Sequence, residues 1–421
     1  SWFTPDSGRL RTLGGYARHE PEPPLSVVST GADGAPTEVR DARGNLFVLR
    51  LDRPDRPEMT TASEAIASRL LWSFGYSTPE AHVIELRRRD LQGTPRAVAW
   101  LGGKESVRAC AIHRPDGVDL GPTPSAMTRS DDPNDRVPHR DRRTLRALAV
   151  MGAWLEMPQV GTRLTRDYYV GAQGCGHVRH LLVGLDGALG ASRVPAPRRS
   201  DELRADAGPR PLANFYTLGF APDPPATHAQ REHPGLGAID GNVDPRRWRP
   251  SFPYEPVDRI LPADGYWAAV RLMGMGEAVL AEAVAGGELS DPRAARTLLS
   301  ILKERRERVA RGWFGAVTPL RATGTSAEGL ELHNDAAMHG FEDGSAWEYR
   351  VEYLNHDGVE LAQGHAARPG SPCFELGYPD ELLPARIDYL VVRVTGRSHG
   401  IERSRAAEFH LVRGRLVGVR H

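Results

Sequence analysis

Lysine is nearly absent from this chain of 421 residues. Lys104 and Lys303 are the only lysines among 54 basic side chains, so the other 52 are arginines. A catalytic lysine is therefore excluded at every other position of the chain. The formal net charge is zero, so no overall field draws the chain to nucleic acid or to an anionic membrane. We therefore expect no nucleic-acid partner.

Cysteine and long apolar runs are scarce as well. Cys110, Cys175 and Cys373 lie far apart without metal-ligand spacing, and we expect isolated buried thiols. One disulfide with one free cysteine is the alternative. No apolar run approaches the roughly 20 residues that cross a bilayer, so we expect no transmembrane segment. The chain also lacks His-Glu-x-x-His, Gly-x-Ser-x-Gly and Walker motifs, and we expect no metal and no cofactor.

The composition that is present, 40% hydrophobic and 26% charged, is that of a soluble chain with two or three domains. Residues 1–24 are polar and rich in proline and are predicted to form an extended arm. Residues 25–125 predict an antiparallel sheet with one helix, and residues 126–318 predict a mainly helical lobe. After Pro319 the apolar period changes from 3.6 to 2, so residues 319–421 predict a β-sandwich of immunoglobulin or fibronectin type. The predicted fold class is α+β.

A strand followed by a helix stands out in the first lobe. Residues 44–52 alternate as a strand does, and residues 60–74 carry an apolar face at helical spacing. Thr60 and Thr61 are candidate caps for this helix.

The most distinctive stretch is residues 130–192. It opens with Asp-Asp-Pro-Asn-Asp at 131–135 and Val-Pro-His at 137–139, which precede a predicted helix at 141–156. A loop at 159–167 and a strand at 180–183 follow, and Gly-Leu-Asp-Gly ends the strand. Three carboxylates in five residues suit a divalent cation. A rigid turn that caps the next helix is the interpretation we favour.

These motifs resemble a family of uncharacterised, mostly exported bacterial proteins that are related to protein kinases. That family reads DDPND-x-VPH, then an Arg-rich helix, then AWLNH-x-D-x-x-x-x-N-T-L-D, then HYL-x-DFGS-x-LGS. In a gapless match the expected catalytic Asp falls on Gln159, the metal-binding Asn on Leu164 and the metal-binding Asp on Gly184. The lysine of the family's strand falls on Arg50, and its ion-pair Glu falls on Glu64. The resemblance therefore implies an Arg50–Glu64 ion pair that holds the helix to the sheet.

The resemblance implies a two-lobed, kinase-like fold from which the catalytic residues have been lost. Gln159 is not a useful base, and neither Leu164 nor Gly184 offers a side-chain oxygen to magnesium. We therefore expect a pseudokinase and not an enzyme. The alternative is an active, divergent phosphotransferase in which a slipped loop brings Asp167 or Asp186 to a metal.

A kinase-like body without an active site is expected to work through its interfaces. The Pro-rich segment 228–256 carries the interface candidates Arg246, Arg247, Trp248 and Phe252, because tryptophan and arginine dominate interface energetics. Packing of Trp248 and Phe252 against the protein's own helical lobe is the alternative. Edge strands of the predicted sandwich are a second candidate surface.

Compartment and assembly are expectations that come from the resemblance. In the family, a phrase like the opening Ser-Trp-Phe-Thr lies well inside a precursor, after an export signal. The resemblance thus implies export to the periplasm or the extracellular space. We expect a structural or binding subunit with protein partners in a cell-envelope or extracellular assembly.

Overall fold

The computed structural model describes residues 10–16, 18–31, 35–93, 101, 104–193, 233–326, 328–379, 381–382 and 387–421. The chain divides into two compact units that cross the predicted boundaries. The first unit is Ser1–Val243, Arg247–Ile260 and Gly274–Arg306, and the second is Asp244–Arg246, Leu261–Met273 and Glu307–His421. Most of both predicted lobes thus lies in the first unit. In the described part, no helix combines the length and the apolar character that a membrane crossing requires.

A six-stranded sheet makes up the N-terminal part of the first unit. Its strands are β1 (Leu25–Thr30), β2 (Pro36–Arg40), β3 (Leu46–Leu51), β4 (Ala81–Arg87), β5 (Leu91–Gln92) and β6 (Ser106–His113). The order is β4-β6-β3-β2-β1-β5, and every pair is antiparallel except β1 with β5. The sequence of residues 96–100 also predicts a strand, and Gly31 and Gly34 predict a hairpin loop. Residues 96–100 and 32–34 lie outside the described residues.

Both faces of this sheet are covered, which alternating side chains make possible. Phe47 and Leu49 of β3 point into one apolar cluster. The other cluster contains Cys110 of β6 and Ala65 of helix α1 (Met59–Phe74). Helix α1 thus packs on the sheet through the apolar stripe that the sequence predicts.

The first turn of α1 is capped by Asp52, which directly follows β3. Its carboxylate accepts hydrogen bonds from the N–H groups of Thr60 at 2.9 Å and Thr61 at 3.0 Å. It also accepts the hydroxyl proton of Thr61 at 2.7 Å. The prediction that the two threonines cap the helix is therefore wrong, because both donate to a carboxylate from outside the helix.

The predicted extended arm is packed in its described part. Tyr16 is buried, its hydroxyl oxygen lies 2.7 Å from Ser68 Oγ, and it accepts the N–H of Ala81 at 2.9 Å. Upstream, the N–H of Arg11 donates to the carbonyl of Ser73 at 3.0 Å. The arm segment is therefore held against α1 by buried polar contacts that proline content alone does not predict.

Between residues 114 and 314, the described part of the chain combines helices with a small sheet. Its elements are β7 (Val118–Gly121), α2 (Arg143–Arg146), α3 (Leu148–Leu155), β8 (Thr165–Val170), β9 (His177–Leu182), α4 (Glu255–Asp258), α5 (Pro262–Met273), α6 (Glu277–Ala285) and α7 (Pro292–Phe314). Strands β7, β8 and β9 form a three-stranded antiparallel sheet.

Two predicted helices are each divided in the structure. The helix predicted at 141–156 is interrupted at Ala147, which forms a turn between α2 and α3. The apolar spacing of residues 265–285 predicts one helix, but it is interrupted at residues 274–276, because two glycines there lower helix propensity and Gly276 is extended. Asp291 before Pro292 predicts the cap of α7, and this is confirmed, since the carboxylate of Asp291 accepts the N–H of Arg293 at 2.8 Å.

The C-terminal part is built from two antiparallel sheets. Its elements are β10 (Leu320–Thr325), β11 (Gly329–Asn334), α8 (Asp335–Met338), β12 (Trp347–Leu354), β13 (Glu360–Ala367), β14 (Cys373–Gly377), β15 (Leu390–Ser398), β16 (Ile401–Glu402), β17 (Ala407–Val412) and β18 (Arg415–Arg420). One sheet has the order β10-β11-β14, and the other has β13-β12-β15-β17-β18 with β16 on β15.

The two C-terminal sheets contact each other through aromatic side chains. The rings of Tyr349 and Phe374 are 5.2 Å apart, and the hydroxyl of Tyr353 donates to the carbonyl of Gly377 at 3.0 Å. The chain is thus mixed α and β with antiparallel C-terminal sheets, in agreement with the predicted α+β class. The kinase-like fold and the immunoglobulin type of the sandwich stay predictions.

All three cysteines are free. Cys110 is buried as expected, whereas Cys175 and Cys373 are exposed. The prediction of buried thiols is therefore wrong for two of the three.

Candidate functional site

The turn that follows β9 is the point where several predicted site residues meet. Gly184 adopts the left-handed conformation, with φ 68° and ψ 46°, and residues Leu185–Gly187 form a single 3-10 turn. This conformation suits glycine because a Cβ atom strains it. Next to the turn, the N–H of Val183 donates to the carbonyl of Leu164 at 2.8 Å. Leu164 is almost fully buried.

Gln159 lies against the end of the same turn. A Cβ atom added to Gly187 would lie 2.9 Å from Nε2 and 3.0 Å from Cδ of Gln159. Both polar atoms of the Gln159 amide are buried, and neither has a hydrogen-bond partner among the residues that the structure describes. The position predicted for a catalytic base thus holds a neutral amide packed over a glycine.

Glu64 of α1 reaches the turn from the other side. Its carboxyl group accepts backbone hydrogen bonds from Leu185 and Asp186, and its side chain is 1% exposed. Burial and the nearby charge of Asp186 raise the pKa of Glu64 to about 8, and the charge of Arg50 offsets only part of this. At neutral pH most Glu64 is therefore neutral.

Arg50 does not form the predicted ion pair. Its side chain is exposed, whereas Glu64 is buried, and no contact within 4.0 Å joins the two groups in the described chain. Alternation puts Arg50 on the face of β3 opposite to Leu49, which is the α1 face because its cross-strand partner is Cys110, and its charge still lowers the pKa of Glu64. The prediction is wrong on this pair, and Glu64 instead binds the backbone of the turn.

The protonation of Glu64 leads to a first testable prediction. Glu64→Gln should raise the melting temperature at pH 8 and have a smaller effect at pH 5. The unfolded carboxyl group ionises near pH 4.3, whereas the folded one keeps its proton to about pH 8. Wild-type stability should therefore fall as pH rises through this window, by about 1.4 kcal/mol per pH unit, while that of the Gln variant does not.

Thermal unfolding of both proteins between pH 5 and pH 9 checks this expectation. The exposed Glu282 on α6 provides the matched control, because Glu282→Gln should shift the melting temperature equally at every pH. A Glu64→Gln difference that does not grow between pH 5 and pH 8 would contradict a neutral Glu64.

Asp167, one of the two alternative metal ligands, is fully engaged by protein groups. Its Oδ1 lies 2.7 Å from Nδ1 of His180 and accepts the hydroxyl of Thr123, and its Oδ2 accepts Nη1–H of Arg129 at 2.9 Å. Burial would raise the pKa of Asp167, but the hydrogen bonds from His180, Thr123 and Arg129 together hold it below its ordinary value. The Asp167 carboxylate is therefore part of a buried network of charged side chains.

The Asp-Asp-Pro-Asn-Asp segment enters the same network. The carboxylate of Asp135 accepts the N–H of Arg129 at 2.7 Å, lies 2.8 Å from Nε2 of His139 and pairs with Arg142. Asp131 binds the Arg129 guanidinium through both oxygens, each at 2.8 Å. The segment is a structural junction as favoured, but it does not cap α2, because Asp131 and Asp135 bind arginine and histidine and Asp132 accepts the N–H of Asn134.

Asp186 differs from Asp167 in its surroundings. It is half-buried beside Glu64, and its carboxylate makes no ion pair or hydrogen bond with the described residues. No group of three or more His, Cys, Asp or Glu side chains in the described ranges is placed to hold a metal ion. Of the two alternative ligands, only Asp186 thus presents a carboxylate that is not engaged by arginine or histidine.

The interface candidates differ strongly in exposure. Trp248 is 8% exposed, and a Cβ atom on Gly152 of α3 would lie 2.2 Å from its ring. Phe252 is 62% exposed, and Arg246 and Arg247 are exposed as well. Trp248 is thus a packing residue in the chain alone, whereas Phe252 is exposed enough to contact a partner.

Sequence reasoning missed the buried contact that fixes the end of α3. Arg305 of α7 is 1% exposed and donates to the carbonyls of Trp154 at 2.9 Å and Asp240 at 2.8 Å. Its guanidinium also pairs with the carboxylate of Glu156 at 2.5 Å. Just beyond, the N–H of Leu189 donates to the carbonyl of Leu155 at 2.7 Å. These contacts hold the C-terminal end of α3 and the residues that connect it to Gln159.

Comparison of the chain with protein-family models and with curated proteins found no match in either set.

Proposed function

We propose that this chain is a kinase-like protein without phosphotransferase activity that works as a structural or binding subunit. Support for the kinase-like body comes from the order of elements in the first unit. An antiparallel sheet carries α1 between β3 and β4, and a later strand, β9, ends in a turn at the buried Glu64 of α1. A kinase needs these parts in this order, with a lysine on the third strand and a glutamate on the helix.

The observation that carries the proposal is the state of Glu64. In an active kinase this glutamate forms an ion pair with the strand lysine, which in turn holds the nucleotide phosphates. Here Glu64 accepts backbone hydrogen bonds from Leu185 and Asp186, and the exposed Arg50 is not bound to it. The strand cation is thus not fixed for phosphate binding.

The metal-binding positions support the same conclusion. Leu164 is buried and apolar, Gly184 carries no side chain, and Gln159 supplies a neutral amide in place of a base. Magnesium prefers oxygen ligands, and phosphoryl transfer requires an oriented nucleophile. Four of the roles that catalysis requires are therefore unfilled.

The second candidate is a divergent phosphotransferase that uses Asp186. Its half-buried carboxylate lies in the turn beside Glu64 and has no cationic partner in the described chain. Asp167 offers less for this role, because metal binding there would break its contacts with His180 and Arg129.

The place of action is proposed from the family resemblance. We place the chain outside the cytoplasm, in the periplasm or the extracellular space, as a member of a cell-envelope assembly with protein partners. Exposed side chains such as Phe252 and the edge strands of the C-terminal sheets are the surfaces that suit such partners.

A nucleotide experiment separates the two candidates. We expect no turnover of ATP or GTP with magnesium above the buffer rate, and no rise in melting temperature at millimolar nucleotide, because a ligand that binds the folded state stabilises it. Asp186→Asn is the matched variant. Turnover in the wild type that Asp186→Asn abolishes, with an unchanged melting temperature, would replace the first candidate by the second.

A further inference from the structure

Two sulfur atoms meet at the surface of the second unit. Cys373, at the start of β14, and Met338, at the end of α8, place Sγ and Sδ 3.3 Å apart. Cysteine and methionine are usually buried, but Cys373 is exposed and Met338 is 45% exposed. The fold thus holds a thiol and a thioether in contact where solvent reaches both.

A histidine lies next to this sulfur pair. His333 of β11 is the direct cross-strand partner of Cys373, so the two side chains lie on the same face of the sheet. This is the outer face, because Leu332 and Leu376 on the opposite face are buried while His333 is half-buried. Helix α8 begins where β11 ends, which brings Met338 to the same end of the sheet as Cys373.

We propose that Cys373, Met338 and His333 form a binding site for a soft monovalent metal ion, namely Cu(I). Thiolate and thioether sulfurs select Cu(I) over harder cations, and imidazole is also a good copper ligand. Binding replaces the thiol proton of Cys373 by the metal, so one proton is released for each ion bound while the oxidation state does not change. The site lies in the second unit and goes beyond the kinase-like proposal.

Chemistry distinguishes Cu(I) from zinc at this site. The usual zinc ligands are thiolate, imidazole and carboxylate groups, and a thioether is not among them. A contribution of Met338 to metal binding therefore distinguishes Cu(I) from zinc. Met338→Leu keeps the size and apolar character of the side chain and removes only the sulfur.

The test is anaerobic titration of the full, reduced chain with Cu(I) against bicinchoninate, which reports free Cu(I) by its colour. We expect one ion per chain at this site, loss of that ion in Cys373→Ser, and an affinity lower by more than about tenfold in Met338→Leu and in His333→Asn. Cys175→Ser is the matched control, because Cys175 is the other exposed cysteine and should leave the affinity unchanged.

A parallel titration with Zn(II) completes the test, and melting curves confirm that each variant is folded. The proposal is overturned if Cys373→Ser binds Cu(I) as the wild type does, or if Met338→Leu leaves the Cu(I) affinity unchanged. Tighter binding of Zn(II) than of Cu(I) at Cys373 and His333 would likewise overturn it.

Discussion

Replacing Arg305 by Ala should lower the free energy of unfolding by about 3–5 kcal/mol. The Arg305 guanidinium is buried and satisfies the carbonyls of Ala153, Trp154 and Asp240 as well as the carboxylate of Glu156. The substitution leaves a buried carboxylate without its cation and the end of α3 without donors, and both losses are costly. Urea unfolding followed by tryptophan fluorescence measures the effect.

Arg296 provides the matched control on the same helix, because its side chain is exposed. Arg296→Ala should change the free energy of unfolding by no more than about 0.5 kcal/mol. Arg305→Lys keeps the charge but not the planar fork and should fall between the two. Equal urea midpoints for Arg305→Ala and Arg296→Ala would contradict the structural role of the buried pair.

Trp248→Ala should destabilise the isolated chain by about 3–5 kcal/mol, the usual cost of removing a buried tryptophan. The indole of Trp248 packs directly over Gly152, where a Cβ atom has no room. Its loss therefore leaves a cavity against α3, and the melting temperature of the isolated protein should fall. A role confined to partner binding would leave the melting temperature unchanged.

Two further variants sharpen this experiment. Phe252→Ala is the control, since Phe252 is 62% exposed and its loss should cost no more than about 0.5 kcal/mol. Gly152→Ala alone should cost about 1–3 kcal/mol through overpacking. Combined with Trp248→Ala it should cost less than the sum of the two single variants, because the cavity accepts the methyl group.

Local pattern was enough to predict the elements that have one buried and one exposed face. Strands β3 and β4, helix α1 and the long helix α7 follow from alternation, helical spacing and the Asp291 cap. Strand β13 is hard to predict because none of its side chains is fully buried, so its polar and apolar residues do not alternate. Strand β8 was assigned to a loop because its polar residues are buried within a charge network.

The candidate site was predicted in part, and the reason is distance along the chain. Family resemblance brought Glu64, Gln159 and residues 184–187 to one region, and the structure places them around one turn. The Arg305–Glu156 pair spans 149 residues, and nothing in a single sequence signals such a partner. The Arg50–Glu64 ion pair was predicted wrongly. The sequence shows the charge of each side chain, but it does not show that Glu64 is buried while Arg50 is exposed.

The capping of α1 by Asp52 has a consequence for protein engineering. The start of the helix is fixed by Asp52 at the end of the strand and by Glu58, whose carbonyl accepts the N–H of Ala62, so the five residues from 53 to 57 are not part of the cap. The contacts of Arg53 and Asp55 within this connection are exposed. Doubling a flexible loop costs only about 0.6 kcal/mol, less than the typical loss of about 1 kcal/mol for a missing cap. The connection between β3 and α1 is thus a suitable point for inserting an affinity tag or a reporter domain, while strand and helix stay joined.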